Sequence, residues 1–279
     1  MSTMAITAAD VNKLRQITGA GMMDCKNALT EANGDFDAAI DILRKKGQKV
    51  AAKRADRDAT EGLVIAKVTA DGTRGVLVCT NCETDFVAKN ADFTAMAERI
   101  AGIALEKGLD TIDALKAAAY DSNGLTVAEK LIEQTGVIGE KIDISACHAL
   151  GAAFVYGYNH PGNKVASLVG LNKTGFETAA KDVAMQVAAM GPIALDKAST
   201  PQSVIDKELE IGKELAIQEG KPADMAEKIA HGRLNKFFKE STLLAQEFIK
   251  DNKLSVEQYL KSVDKELTCT GFKRHSLTV

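Results

Sequence analysis

The sequence predicts an α+β protein: an N-terminal three-helix bundle, a two-part core of related antiparallel sheets with helices, and a helical hairpin set late in the chain. Three observations lead there. Apolar residues recur at helical spacing up to Gly47, and from Glu61 the pattern changes to alternating, β-branched runs. A strand, turn, strand, helix order found after Glu61 then occurs a second time further along.

Thr7 is placed to cap a first helix with Val11, Leu14 and Ile17 on one face, ending near Gly19. Asp24 is placed to cap a second carrying Ala28, Leu29 and Ala32, stopped by Asn33 and Gly34. A third begins near Asp35 and runs through Ile40 and Leu43 to Gly47. Helices this short are unstable alone, so the three must bury their stripes against one another. This miniature bundle, with Gly19-Ala20-Gly21-Met22-Met23 between its first two helices, resembles a ubiquitin-associated-type domain. Residues 48–60 are rich in Lys, Arg, Asp and Ala and read as a charged linker, a solvated tether before a helical one. The expected units are therefore a module over residues 1–47, a linker over 48–60, and core subdomains over 61–145 and 146–279.

In the first subdomain, strands over residues 63–68 and 75–79 flank an Asp71-Gly72 hairpin turn, and a helix follows over 94–105. In the second, strands over 154–156 and 165–169 flank a turn over 159–163, and the helix covers 177–189. The second copy passes from strand to helix directly. The first inserts several more residues, among them Thr84, Asp85, Phe86 and Val87, more than a strand-to-helix connection needs. A loop longer than its structural task, offering an aromatic between an acid and a base, is a functional candidate; the alternative is that Phe86 caps the sheet edge. Residues 201–234 form a helical hairpin split by Gly220-Lys221-Pro222, with Pro222 at the first helical position. Its expected stripes are Val204, Ile211 and Leu215 on one arm and Met225 and Ile229 on the other. Phe237, Phe238, Phe248 and Ile249 read as apolar anchors, residues 256–263 as a short helix and 267–279 as a last strand.

Composition excludes several classes. With 279 residues, 46% of them hydrophobic, the chain has material for real cores, and a formal net charge of −3 argues against wholesale binding to nucleic-acid phosphates. No basic segment followed by an apolar run opens the sequence, and the most apolar stretch, residues 179–195, is broken by Lys181, Asp182 and Gln186, which argues against a membrane span. The five cysteines fit reduced thiols in the cytoplasm. Cys79 and Cys82 form a C-x-x-C with no second pair at metal-site spacing, so Cys79 reads as a strand residue, and no metal or cofactor is expected. His148, His160, His231 and His275 form no triad or ligand pattern, so an enzyme is not expected.

Three segments, LRQITGAGMMDCKNALTEANGDFDAAIDILRKKG, NCETDFVAKN, and GKPADMAEKIAHGRLNKFFKE with LLAQEFIKD behind it, together resemble the bacterial elongation factor Ts family over nearly the whole chain. The resemblance implies a non-enzymatic guanine-nucleotide exchange factor for elongation factor Tu, working in the cytoplasm in translation elongation. It implies that Thr84, Asp85, Phe86 and Val87 displace Mg2+ from elongation factor Tu, and that the hairpin serves self-association. Met22 and Met23 stay open between sealing the bundle, touching elongation factor Tu, and serving a ubiquitin-associated-type adaptor. The segment Thr270-Gly271-Phe272-Lys273-Arg274 matches the family's terminal strand only loosely.

Overall fold

Thr7 and Asp10 cap each other at the start of α1 (Ala8–Thr18), and Gly19, at φ +68, closes it in the left-handed conformation that glycine takes without strain. These features come from a computed structural model that describes residues 6–122 and 124–277, Ala223 and Asp224 by backbone alone. The first five residues of the expected module and the last two of the expected terminal strand lie outside the described residues.

Val11 and Leu14 are buried, but Ile17 is 58% exposed. At 100° per residue, Ile17 falls about 120° away from Val11 on the helix wheel, whereas Thr18 returns to its face. α2 (Met22–Glu31) starts from Gly21 rather than Asp24. Asp24 lies inside its first turn and pairs with Lys46. α3 (Phe36–Lys53) begins at the expected place, with Asp35 as its cap, but continues past Gly47 into the stretch read as linker. Val11, Leu14, Ala20, Cys25, Ala28, Leu29 and Ala39 form the bundle's core.

β1 (Glu61–Val68) and β2 (Arg74–Cys82) form the expected hairpin. Then come α4 (Asp85–Ala88), α5 (Ala91–Lys107), α6 (Ile112–Ala117), α7 (Val127–Ile138) and β3 (Asp143–Gly151), which completes a sheet of order β1-β2-β3. The last three were not legible as elements. α7 explains why α3 does not stop at Gly47. A Cβ on Gly136 would stand 2.5 Å from the Gly47 Cα, so both glycines serve a backbone-on-backbone helix crossing.

β4 (Phe154–Asn159), β5 (Val165–Leu171) and α8 (Glu177–Met190) repeat the plan. α9 (Gln202–Gln218) and α10 (Ala223–Ser241) are the hairpin, followed by β6 (Glu247–Phe248), β7 (Asp251–Ser255), α11 (Val256–Val263) and β8 (Cys269–Ser276). The second sheet is antiparallel with order β4-β5-β8, and Phe272 stands opposite Val169. Its core joins Val169 and Leu171 to Val183 and Val187 of α8, with Leu243, Phe248 and Leu260. Phe248 stacks on Tyr259 at 4.0 Å between centroids, whereas Ile249 is exposed and anchors nothing. Asp182 is buried on α8, where Tyr259 and Lys250 donate to its carboxylate. Among the described residues no helix is long and apolar enough to cross a membrane.

The hairpin seam differs from the expected one. Gly212, Ala216, Ala226, Ala230 and Leu234 are buried, while Ile211, Leu215 and Met225 are exposed. Small residues win the seam because the helices approach closely: a Cβ on Gly212 would lie 3.1 Å from the Ala230 Cα. Pro222 is the N-cap of α10 and not its first residue. The chain divides into two compact units, one holding the segment up to Ile65 with Val78–Cys147, the other Ala66–Leu77 with the segment from His148 on.

Candidate functional site

The segment between β2 and α5 is a capped helical turn, not a loop. Thr84 is the N-cap of α4, its side chain accepting from the Val87 N–H, and Asn90 caps α5 two residues after α4 ends. Ala88 is buried, and the fully buried Phe93 anchors α5 just beyond. Phe86 points the other way and is 83% exposed, which overturns the alternative that it caps a sheet edge. Burying such a side chain is worth about 1.5–3 kcal/mol, so an isolated ring on a rigid turn is free energy held back from folding.

Asp85 is half-exposed and takes a 2.6 Å bond from Lys89 one turn on. That hydrogen bond, with the ammonium's charge, holds the Asp85 carboxyl below the ordinary carboxylate range. Val87 is half-buried between Phe86 and Ala88. The four predicted residues thus lie on one turn, with Thr84 fixing its start.

What braces this turn was not read from the sequence. Glu140 follows the Gly139 cap of α7; one of its oxygens accepts from the Glu83 and Thr84 N–H groups at 3.2 and 3.0 Å, and the other accepts the Thr84 hydroxyl at 2.7 Å. Glu83 in turn accepts the Lys141 N–H at 2.6 Å and two bonds from Arg54 at 2.8 Å. The Lys141 N–H first, then Arg54, keep the Glu83 carboxyl below its ordinary value. These partners are 29 and more than 50 residues away along the chain, beyond the reach of any local spacing rule.

Cys82 donates to the Thr84 carbonyl at 3.2 Å, and burial, then the Glu140 charge, push its thiol up to about 12. Cys79 is buried in β2, as expected of a strand residue, and all five cysteines are unbridged. Among the described residues no group of three or more His, Cys, Asp and Glu is arranged to hold a metal. Met22 and Met23 occupy the first turn of α2 and are 51% and 65% exposed, so they do not seal the bundle.

A family profile described as Elongation factor TS matches residues 83–278, starting one residue before Thr84. The chain belongs to the elongation factor Ts family. It is 58% identical over 274 residues to Elongation factor Ts of Christiangramia forsetii, with 98% of each chain covered. Against Elongation factor Ts of Flavobacterium psychrophilum the identity is 55% over 274 residues, again with 98% of each covered. Against that of Cytophaga hutchinsonii it is 51% over 281 residues and 100% of each. The elongation factor Ts family acts in translation elongation, with elongation factor Tu as its partner.

Proposed function

We propose that this chain is a guanine-nucleotide exchange factor for elongation factor Tu, acting in the cytoplasm: it binds the GDP complex, displaces Mg2+ and promotes GDP release so that GTP can bind. The observation that carries the reading is Phe86, an aromatic held out in water on a braced, capped turn beside a carboxylate. An exchange factor must bind the nucleotide-free partner more tightly than the filled one, because only differential affinity shifts an equilibrium. By reciprocity it weakens nucleotide as much as nucleotide weakens it. A coupling of about 4 kcal/mol corresponds to roughly a thousandfold change in affinity, within reach of one buried aromatic plus loss of a metal.

In this mechanism Phe86 enters an apolar crevice beside the partner's metal site, gaining the burial it lacks in the free chain. Thr84 holds the start of the turn through the Val87 N–H. Asp85 exchanges its Lys89 bond for the partner's Mg2+ hydration shell or repels phosphate. No covalent bond forms or breaks, so the role is not enzymatic. Met22 and Met23, exposed on the module of residues 1–47, add a second contact with elongation factor Tu. Self-association is assigned to the hairpin, whose large apolar residues Ile211, Leu215 and Met225 face outward. Release of a fluorescent GDP analogue from purified elongation factor Tu tests the reading. Acceleration by catalytic amounts of the chain is expected; an unchanged release rate would overturn it.

A further inference from the structure

Thr84 is gripped at every polar atom. Its N–H and hydroxyl reach different oxygens of Glu140 at 3.0 and 2.7 Å, and its carbonyl accepts from the Cys82 thiol and the Ala88 N–H, each at 3.2 Å. The segments 83–84 and 140–141 clasp each other reciprocally: Glu140 accepts the Glu83 and Thr84 N–H groups, and Glu83 accepts the Lys141 N–H. Arg54, just past the end of α3, closes the clasp on Glu83 through both carboxylate oxygens.

A four-residue helix cannot hold itself in water, since nucleating a turn fixes several dihedrals for a single hydrogen bond. The Thr84 cap on Val87 is long, at 3.4 Å. What steadies it is the hydroxyl proton: donated to Glu140, it leaves an oxygen lone pair for the Val87 N–H. The carboxylate, with both oxygens used, therefore sets the register of the turn on which Phe86 sits.

We propose that Glu140 is a positioning residue for exchange: it fixes the Thr84 cap and through it the direction in which Phe86 leaves the surface. The inference rests on the reading of Phe86 as the group that enters elongation factor Tu. A ring already aimed loses little freedom on docking, whereas one on a loose loop must be ordered at the expense of affinity.

A double-mutant cycle separates positioning from general support. Exchange on elongation factor Tu is measured for the intact chain and for Glu140→Ala, Glu140→Gln, Phe86→Ala and both Ala changes combined. Glu140→Ala should slow exchange about tenfold in the parent, and less than about twofold where Phe86 is already Ala, because residues acting as one unit are not additive. Glu140→Gln keeps a carbonyl oxygen for the two N–H groups and turns an amide donor to the Thr84 oxygen, so it should recover most of the rate while keeping the fold. Equal losses from Glu140→Ala in both backgrounds, or no loss in the parent, would overturn the positioning role. Normal exchange by Phe86→Ala alone would instead overturn the wedge reading on which it rests.

Discussion

Phe86 and Asp85 share one helical turn, and in the proposed mechanism they act through different physics that experiment can separate. Phe86 offers apolar area; Asp85 offers charge, at present satisfied by Lys89. Asp85→Ala should therefore show a deficit in GDP release that shrinks when chelator has already removed Mg2+, whereas the Phe86→Ala deficit persists. Stopped-flow release at several Mg2+ concentrations distinguishes them, and equal Mg2+ dependence for both would refute the division of labour. The cysteines give a second test. Burial raises the thiols of Cys82 and Cys269 to about 12 and of Cys147 to about 11, against an ordinary value of 9.0. They stay protonated in the folded chain while the unfolded chain ionises above that ordinary value, so this contribution is intact below pH 9.0 and is lost as pH rises. Thiol titration of the native protein at neutral pH should find no fast-reacting group, and five after unfolding. One fast thiol in the native chain would contradict the buried placement of the cysteines.

At the scale of elements, legibility followed the range of the forces. Caps are local, and the Thr7 cap was readable from a few neighbouring residues. Close helix approaches are not. Gly47 looked like a stop and is a crossing point, because its partner Gly136 is far along the chain. Ile211 and Leu215 looked like a core stripe and lie outside, because the opposing Ala230 leaves room only for Gly212. Thr84–Val87 stood out as surplus length in the sequence, yet their helical form depends on Glu140 and Arg54, which no spacing could connect to them. Gly136→Ala should lower the melting temperature, since a Cβ there meets backbone at 2.5 Å; overpacking of this kind costs about 1–3 kcal/mol. A melt equal to the parent's would show that the crossing relaxes freely. Deleting the hairpin should leave the remaining core folded and abolish any self-association, read by sedimentation. If the intact chain is monomeric at high concentration, the assembly role lapses.

At the scale of the whole molecule, the fold class and the repeated sheet-and-helix plan were legible because periodicity survives without knowledge of tertiary contacts. The elements between the copies, α6, α7 and β3, were not, and α7 carries the Gly136 crossing, with the Glu140 brace just past its Gly139 cap. The proposed function rests on a ring left in water on a turn held by distant residues, which in that reading is taken up by binding and not by folding. Phe86→Ala tests this most directly, by stopped-flow release of labelled GDP from elongation factor Tu alongside a thermal melt of the free protein. The account predicts at least about a tenfold loss of exchange with a nearly unchanged melt, because an exposed aromatic contributes to the complex and not to the free fold. Normal exchange, or a melt lowered as by truncating a core side chain, would contradict it.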